Sequence, residues 1–154
     1  IKGKSELSYF WDDTGLVKGK CRPDWISDDG NIIVDIKTTT DASPKGFQKS
    51  ISTWGYHLQL AWYMRGLQKL GIPCNEFIFI AIEKTPPFSV GVYSADREMI
   101  LFGNQEINKL VVDIDKALND KKFPDYTPEI MPLGLPPWMT EKKQQPQHED
   151  IELY

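Results

Sequence analysis

Three residues of this chain have types and a spacing that suit one piece of chemistry: Asp24, Asp35 and Lys37. The last two lie in an otherwise apolar run, "NIIVDIKTT", residues 31–39. A buried strand normally excludes both, because unpaired charge in a core is costly. Alternate strand residues share a face, so Ile33, Asp35 and Lys37 project to one side and Ile32, Val34 and Ile36 to the other. Asp24 stands just upstream, where the preceding strand should end. Two carboxylates and an ammonium converging on a sheet edge fit metal-assisted hydrolysis. The carboxylates supply hard oxygen ligands for Mg²⁺, and the lysine orients or deprotonates the attacking water. Taken alone, Asp35 and Lys37 would pass for a cross-strand ion pair on an exposed face.

The elements that must position these groups follow from pattern. "ELSYFWDDTGLVKGKCRPDWI" reads as two strands joined around "DDTG", and "DDGN" turns into "NIIVDIKT", a meander over roughly residues 5 to 38. "SPKGFQKSISTW" starts as a helix at Ser-Pro, and "YHLQLAWYMRGLQKLG" is a stronger helix closed by Gly71 and Pro73. "EFIFIAIE" is apolar on both faces and should be a central strand, with "SVGVYSA" as its hairpin partner. From Asp96 to Lys121 a long helix carries Ile100, Ile107, Leu110, Val111, Ile114 and Leu118 at helical spacing. Beyond Phe123 the chain turns Pro-rich and then polar. The expected fold is α/β, a mixed central sheet flanked by helices, with a core over 1–123 and a C-terminal extension over 124–154.

Bulk properties exclude little. The 154 residues suit one domain, and 40% hydrophobic content suits a globular protein. No apolar run is long enough to span a bilayer and no leader precedes the fold, so a cytoplasmic protein is expected. The chain opens at Ile1 without Met, and an upstream segment is expected. Cys21 and Cys74 are too few for a disulfide framework or a four-thiolate metal site. Net charge is -4, yet residues 1–70 carry +2 and residues 71–154 carry -6, so DNA is not excluded.

A loose pattern of this kind recurs by chance. Pro124-Asp125 followed by Glu141-Lys142-Lys143 also matches, and Asp120-Lys121-Lys122 is another Asp-x-Lys. Neither lies where a strand could project the pair. Pro23-Asp24 and Asp35-Ile36-Lys37, with strand, turn and strand around them, resemble the PD-(D/E)XK nuclease superfamily. "QLAWY", Gln59 to Tyr63, is a second signal: residues i and i+4 share a helical face, and Gln59 falls at the border of the side carrying Tyr56, Leu60 and Leu67, opposite Arg65 and Lys69. A Gln-x-x-x-Tyr helix after Asp-x-Lys is characteristic of the RecB-like branch. "KGKCRPDWI", "VDIKTT", "YHLQLAWY" and the late "LGLPPW" look like the RecE exonuclease (exodeoxyribonuclease VIII) family and its phage relatives.

That resemblance implies Asp24 and Asp35 as metal ligands with the Ile36 carbonyl, Lys37 as the catalytic lysine, and Gln59 and Tyr63 supporting the site or touching the DNA backbone. It implies a Mg²⁺-dependent exonuclease (Mn²⁺ can substitute) that resects double-stranded DNA ends for a single-strand annealing recombinase, and a ring-forming homo-oligomer. Such enzymes often take a further ligand from an upstream helix; Glu6 is a weak substitute. Rival readings are a sequence-nonspecific endonuclease of the same fold and a non-catalytic DNA-binding module. Iron–sulfur nucleases of the branch need four cysteines.

Other residues are read more blandly or left open. Lys18, Lys20 and Arg22 share a strand face that either meets solvent or grips phosphates. Thr38, Thr39, Lys45 and Lys49 are further candidates for phosphate contact. His57 is read as solvated, Cys21 as a packed thiol and Trp138 as packing. Removing Lys37 from a carboxylate-rich cluster is expected to leave the fold unharmed.

Overall fold

The computed structural model describes residues 1–127 and 129–140. The chain divides into two compact units, Ile1–Lys122 and Phe123–Tyr154. The polar tail, with Glu141-Lys142-Lys143, lies outside the described residues.

The first unit is a mixed sheet of five strands. These are β1 (Gly3–Ser5), β4 (Trp25–Ser27), β5 (Ile32–Thr39), β6 (Glu76–Glu83) and β7 (Val90–Ser94), ordered β1-β4-β5-β6-β7. Only β5 and β6 run parallel, and their crossover is the helix pair α1 (Pro44–Trp54) and α2 (Tyr56–Lys69). Parallel neighbours need such a crossover, and helices then cover the sheet face. Ser43 caps α1 by accepting from the Gly46 N–H, and Gly55, in the left-handed region at φ 67°, separates the two helices. Phe47 of α1 drops onto this face, 5.7 Å from Phe79 and stacked 5.4 Å from Tyr93. Ile33, Phe77, Phe79 and Ala81 are fully buried beneath the helices. As expected, β6 is an interior strand and β7 its antiparallel partner.

The expected long helix is α3 (Arg97–Asp120), capped by Asp96. It packs on α2 through Gly103, where an added Cβ would come within 2.4 Å of the His57 carbonyl oxygen and 2.9 Å of the Ala61 Cβ. Ile107 and Val111 are buried, but Leu110 and Ile114 are not. The apolar stripe is wider than the face that α2 covers.

The meander is broken: β2 (Tyr9–Thr14) and β3 (Val17–Cys21) form a separate two-stranded sheet. The chain switches sheets at Arg22-Pro23-Asp24, so the run read as one strand becomes β3 and β4. The hairpin lies across α2, on the side that carries Arg65 and Lys69. Trp11 fills the gap between Gly66 and Gly19, where added Cβ atoms would approach its ring to 2.4 and 2.1 Å. It also meets Trp62 at 4.9 Å. Arg65 and Lys69 are covered by this hairpin and paired with it. Arg65 Nε and Nη2 donate to the two carboxylate oxygens of buried Asp13 at 2.7 and 2.8 Å, and Trp11 Nε1 donates to the same carboxylate at 3.1 Å. Lys69 Nζ donates to the Asp13 carbonyl.

In the second unit α4 (Pro137–Thr140) is a single turn, and Trp138 is exposed rather than packed.

The Asp13 carboxyl is held below the usual carboxylate range, first by its hydrogen bonds from Arg65. Its contribution to stability is thus present above the unfolded value, ~3.9, and is lost as pH falls through the lower folded value. Asp13→Ala should cost about 3–5 kcal/mol in urea unfolding near neutral pH, since it strands a partly buried guanidinium. The wild-type and variant stabilities should converge on acidification.

Candidate active site

β4 stops pairing with β5 at Trp25 opposite Val34. Beyond that point the β5 backbone has no strand neighbour on this side. The next residue out, Asp24, supplies the missing acceptor: its Oδ2 receives the Ile36 N–H at 2.6 Å. Strand splay and carboxylate placement are therefore one event. Asp24 is brought beside Asp35 because the ladder ends there.

On the helix face of β5, burial alternates as the pattern requires, with Ile33, Asp35 and Thr39 buried and Ile36 exposed. The Asp35 side chain is 3% exposed and that of Lys37 16%. Their ion pair is internal, so the exposed cross-strand reading is set aside. Gln59 of α2 closes the arrangement. Its Nε2 donates to Asp35 Oδ1 at 2.8 Å, and its Oε1 accepts from Lys37 Nζ at 2.7 Å. One amide thus uses both ends to fix an acid and a base of the same strand. Lys37 Nζ also pairs with Asp35 Oδ2. Asp35 Oδ2 is nevertheless buried without a well-directed hydrogen bond.

Burial is the first cause that lifts the Asp35 carboxyl above its ordinary range, with repulsion from Asp24 adding to it; Lys37 and Gln59 oppose the rise. Lys37 is therefore no burden on the fold, contrary to expectation. Its removal would leave a buried carboxylate without a counter-charge. Tyr56 was read only as packing, yet Lys37 Nζ lies 4.7 Å from its ring centroid, a cation–π contact. The signal was available: Tyr56 precedes Gln59 by three residues and shares its helical face.

The other expected site residues separate into groups. Tyr63 is half-buried, 6.5 Å from Phe77, and no hydrogen bond joins it to Asp35, Lys37 or Gln59. Glu6 does not converge on the carboxylates, because its side chain pairs with Arg22 at 2.9 Å. Lys18 pairs with Asp12, while Lys20, Lys45, Lys49 and Thr38 are exposed. Thr39 is the clearest correction: it is 6% exposed, and its hydroxyl is engaged by Ser50 and the Asp41 carbonyl. It faces inward and does not meet a phosphate. His57 is half-buried, 5.5 Å from the Phe102 ring, and so only partly meets solvent. Burial pushes the Cys21 and Cys74 thiols up to about 12, which removes both as nucleophiles near neutral pH.

Among the described residues no group of three or more His, Cys, Asp or Glu side chains converges as a metal site. Two carboxylates and a backbone carbonyl do suit Mg²⁺, which keeps several waters and needs one or two carboxylates. The Asp35 carboxyl, buried and crowded by Asp24, is a ligand whose charged form a bound cation would favour.

A mixed sheet whose splayed central strand presents Asp-Ile-Lys beside a Pro-Asp, with a glutamine from the crossover helix, defines a PD-(D/E)XK domain. The chain belongs to the family described as "PDDEXK-like domain of unknown function (DUF3799)", whose profile matches residues 1–131. No curated protein matches it significantly. A crystal structure of a candidate exonuclease from Eubacterium rectale shares the fold, with TM-score 0.65 and 16% identity, covering 92% of this chain and 57% of that one. The chain thus spans little more than half of that protein's length. A second solved structure, SSO0001, aligns at TM-score 0.45 and 17% identity over 70% of this chain and 50% of that one, too distant to argue from. No helix among the described residues is long and apolar enough to cross a membrane.

The Asp35 carboxyl should titrate above the ordinary carboxylate range in metal-free protein. Gln59→Leu should move it further up, because the lost N–H donor favoured the charged form. Carboxyl-carbon NMR titration reads both shifts. The sign for stability is opposite to that of Asp13. Protonated Asp35 favours the fold, so its contribution is full below the unfolded value and is lost as pH rises through the raised folded value.

Proposed function

We propose that this chain hydrolyses phosphodiester bonds of DNA with a divalent metal, Mg²⁺ or Mn²⁺, and that it acts from duplex ends. The observation that carries the reading is the nearly fully buried Asp35 carboxyl, held by Lys37 and Gln59 and pushed above its ordinary range by burial and by the neighbouring Asp24 carboxylate. A structural ion pair gains nothing from a second carboxylate crowded against it; a cation site uses both. Asp24, Asp35 and the Ile36 carbonyl would hold the ion, which when bound supplies Lewis-acid stabilisation of charge at the phosphate.

The chain's own residues do the rest. An ammonium has three donors. Lys37 directs one to Gln59 Oε1 and one to Asp35, which leaves the third for the attacking water or a phosphate oxygen. Paired in this way, Lys37 Nζ acts by orientation and charge. Water attacks phosphorus in line and gives up its proton to bulk solvent. As the new P–O bond forms the bond to the leaving sugar oxygen breaks, that oxygen takes a proton from solvent, and no covalent enzyme intermediate is needed. Gln59 fixes the angle between acid and lysine, and the Tyr56 face steadies the ammonium.

End-direction rests on the kind of basic residue available. Lys18, Lys20, Arg22, Lys45 and Lys49 are exposed donors suited to phosphates, and Thr38 adds an exposed hydroxyl. Contacts of that kind hold the backbone without reading sequence. A role in phage-type recombination, supplying single strands to an annealing recombinase, and assembly into a homo-oligomer complete the reading. Because only two carboxylates converge, a DNA-binding module without cleavage is the rival.

End-labelled linear duplex should shorten progressively with Mg²⁺ and stay intact without it, while closed circles survive; discrete fragments from a closed plasmid would favour an endonuclease. Lys37→Met should lower the rate by roughly 10²–10³-fold, the usual loss for one transition-state donor. Millimolar Mg²⁺ should raise Tm by linkage, and Asp24→Asn with Asp35→Asn should remove that rise. DNA affinity should fall steeply with salt.

A further inference from the structure

The β2–β3 hairpin has two faces with different fates. Trp11, Asp13, Val17 and Cys21 point inward and are buried over α2. The outward face carries Phe10 directly opposite Lys20, and Asp12 opposite Lys18. Phe10 is 68% exposed. A single exposed aromatic is ordinary on a protein surface and proves nothing by itself. Its surroundings are what matter.

Phe10 lines a cleft of about 360 Å³ together with Ser8, Lys20, Cys21, Arg22 and Tyr63. That is at the low end of ligand-pocket sizes, which run from about 300 to 1,000 Å³. Two aromatic rings, two cations and a hydroxyl meet there, while Cys21 is a packed, protonated thiol. Lys20 makes no ion pair among the described residues, and the Arg22 pair with Glu6 is solvent-exposed, so it exchanges readily for another anion. Two of its residues are also close in the chain to residues of the carboxylate site. Arg22 is followed directly by Pro23-Asp24, and Tyr63 lies one helical turn beyond Gln59 on α2.

Paired bases in a duplex are stacked on one another and offer no free face to a side chain. An unpaired nucleotide does, and aromatic platforms flanked by basic residues are how proteins hold one without reading its identity. We infer that this cleft binds an unpaired nucleotide of a DNA strand, with the base stacked on Phe10 and its phosphates held by Lys20 and Arg22. Tyr63 forms the inner wall. The strand delivered to Asp24 and Asp35 is then a single strand, separated from its complement before it reaches the lysine. This inference rests on the nuclease reading of the neighbouring site and adds the state of the substrate there.

The test uses the full chain in EDTA, so that binding is read without cleavage. Fluorescence anisotropy is measured with a labelled oligothymidylate and with a blunt hairpin duplex, for wild type, Phe10→Ala, Phe10→Trp and Lys20→Gln. Phe10→Ala should weaken oligothymidylate binding about tenfold or more, the usual loss for one base–aromatic stack. Duplex binding should change less than about twofold, and Phe10→Trp should restore single-strand affinity. Lys20→Gln should flatten the salt dependence by about 0.7, one single-strand phosphate contact. Unchanged affinity in Phe10→Ala, equal losses on both DNAs, failure of Phe10→Trp to restore, or no single-strand binding by wild type would each overturn the cleft. Parallel assays with Mg²⁺ and Mn²⁺ separate the two readings. Phe10-dependent binding without any cleavage leaves the cleft standing and removes the nuclease; cleavage with Phe10-independent binding does the reverse.

Discussion

A carboxylate taken almost wholly out of water sits on the central strand of this fold, and much of the surrounding architecture serves to keep it there. Asp35 is tolerated because Lys37 and Gln59 each answer part of its charge. Lys37 can do so because strand alternation places it two residues on, on the same face. Gln59 can do so only if α2 lies across β5 at one height and one rotation. That placement is fixed from elsewhere: Gly103 lets α3 press against the back of α2, and Gly66 lets Trp11 in on another side. Neither glycine touches the site. Both decide whether the amide reaches it.

The same economy governs Asp24. An antiparallel ladder that continued past Trp25 would satisfy the Ile36 N–H with a carbonyl and close the sheet over the site. Ending it early leaves a donor, and the carboxylate that accepts it is thereby held beside Asp35. Two acids are thus brought together with one of them anchored by backbone and the other by side chains. Their mutual repulsion is part of what raises the Asp35 carboxyl, and it is the part that a cation would reverse.

The hairpin joins this arrangement through α2. Asp13 grips Arg65 and Lys69 on the helix side opposite the sheet, so one helix carries the site on one flank and the hairpin on the other. The helix that orients the Gln59 amide is also the one on which the hairpin bearing Phe10 and Lys20 is seated.

The five strands in place of three before α1 were not legible in the sequence, but the order of elements from β5 onward, the faces of β5, the interior place of β6 and the starts of α1 and α3 were. Each follows from local rules: period, turn chemistry and the preference of Ser and Asp for helix starts. The Asp24, Asp35 and Lys37 grouping was legible for the same reason, since strand alternation and one turn suffice to bring them together. What covers Arg65 and Lys69 was not legible, because a helical wheel shows which residues share a side but not what packs on it. Here two sheets embrace one helix, and the polar side is buried by an aspartate fifty residues away. The break at Pro23, the inward turn of Thr39 and the pairing of Glu6 with Arg22 likewise depended on partners distant in the chain. The sequence by itself determined which residues could carry the chemistry; only the tertiary structure decided which of their atoms were already satisfied, because hydrogen bonds and burial are settled between elements rather than within them.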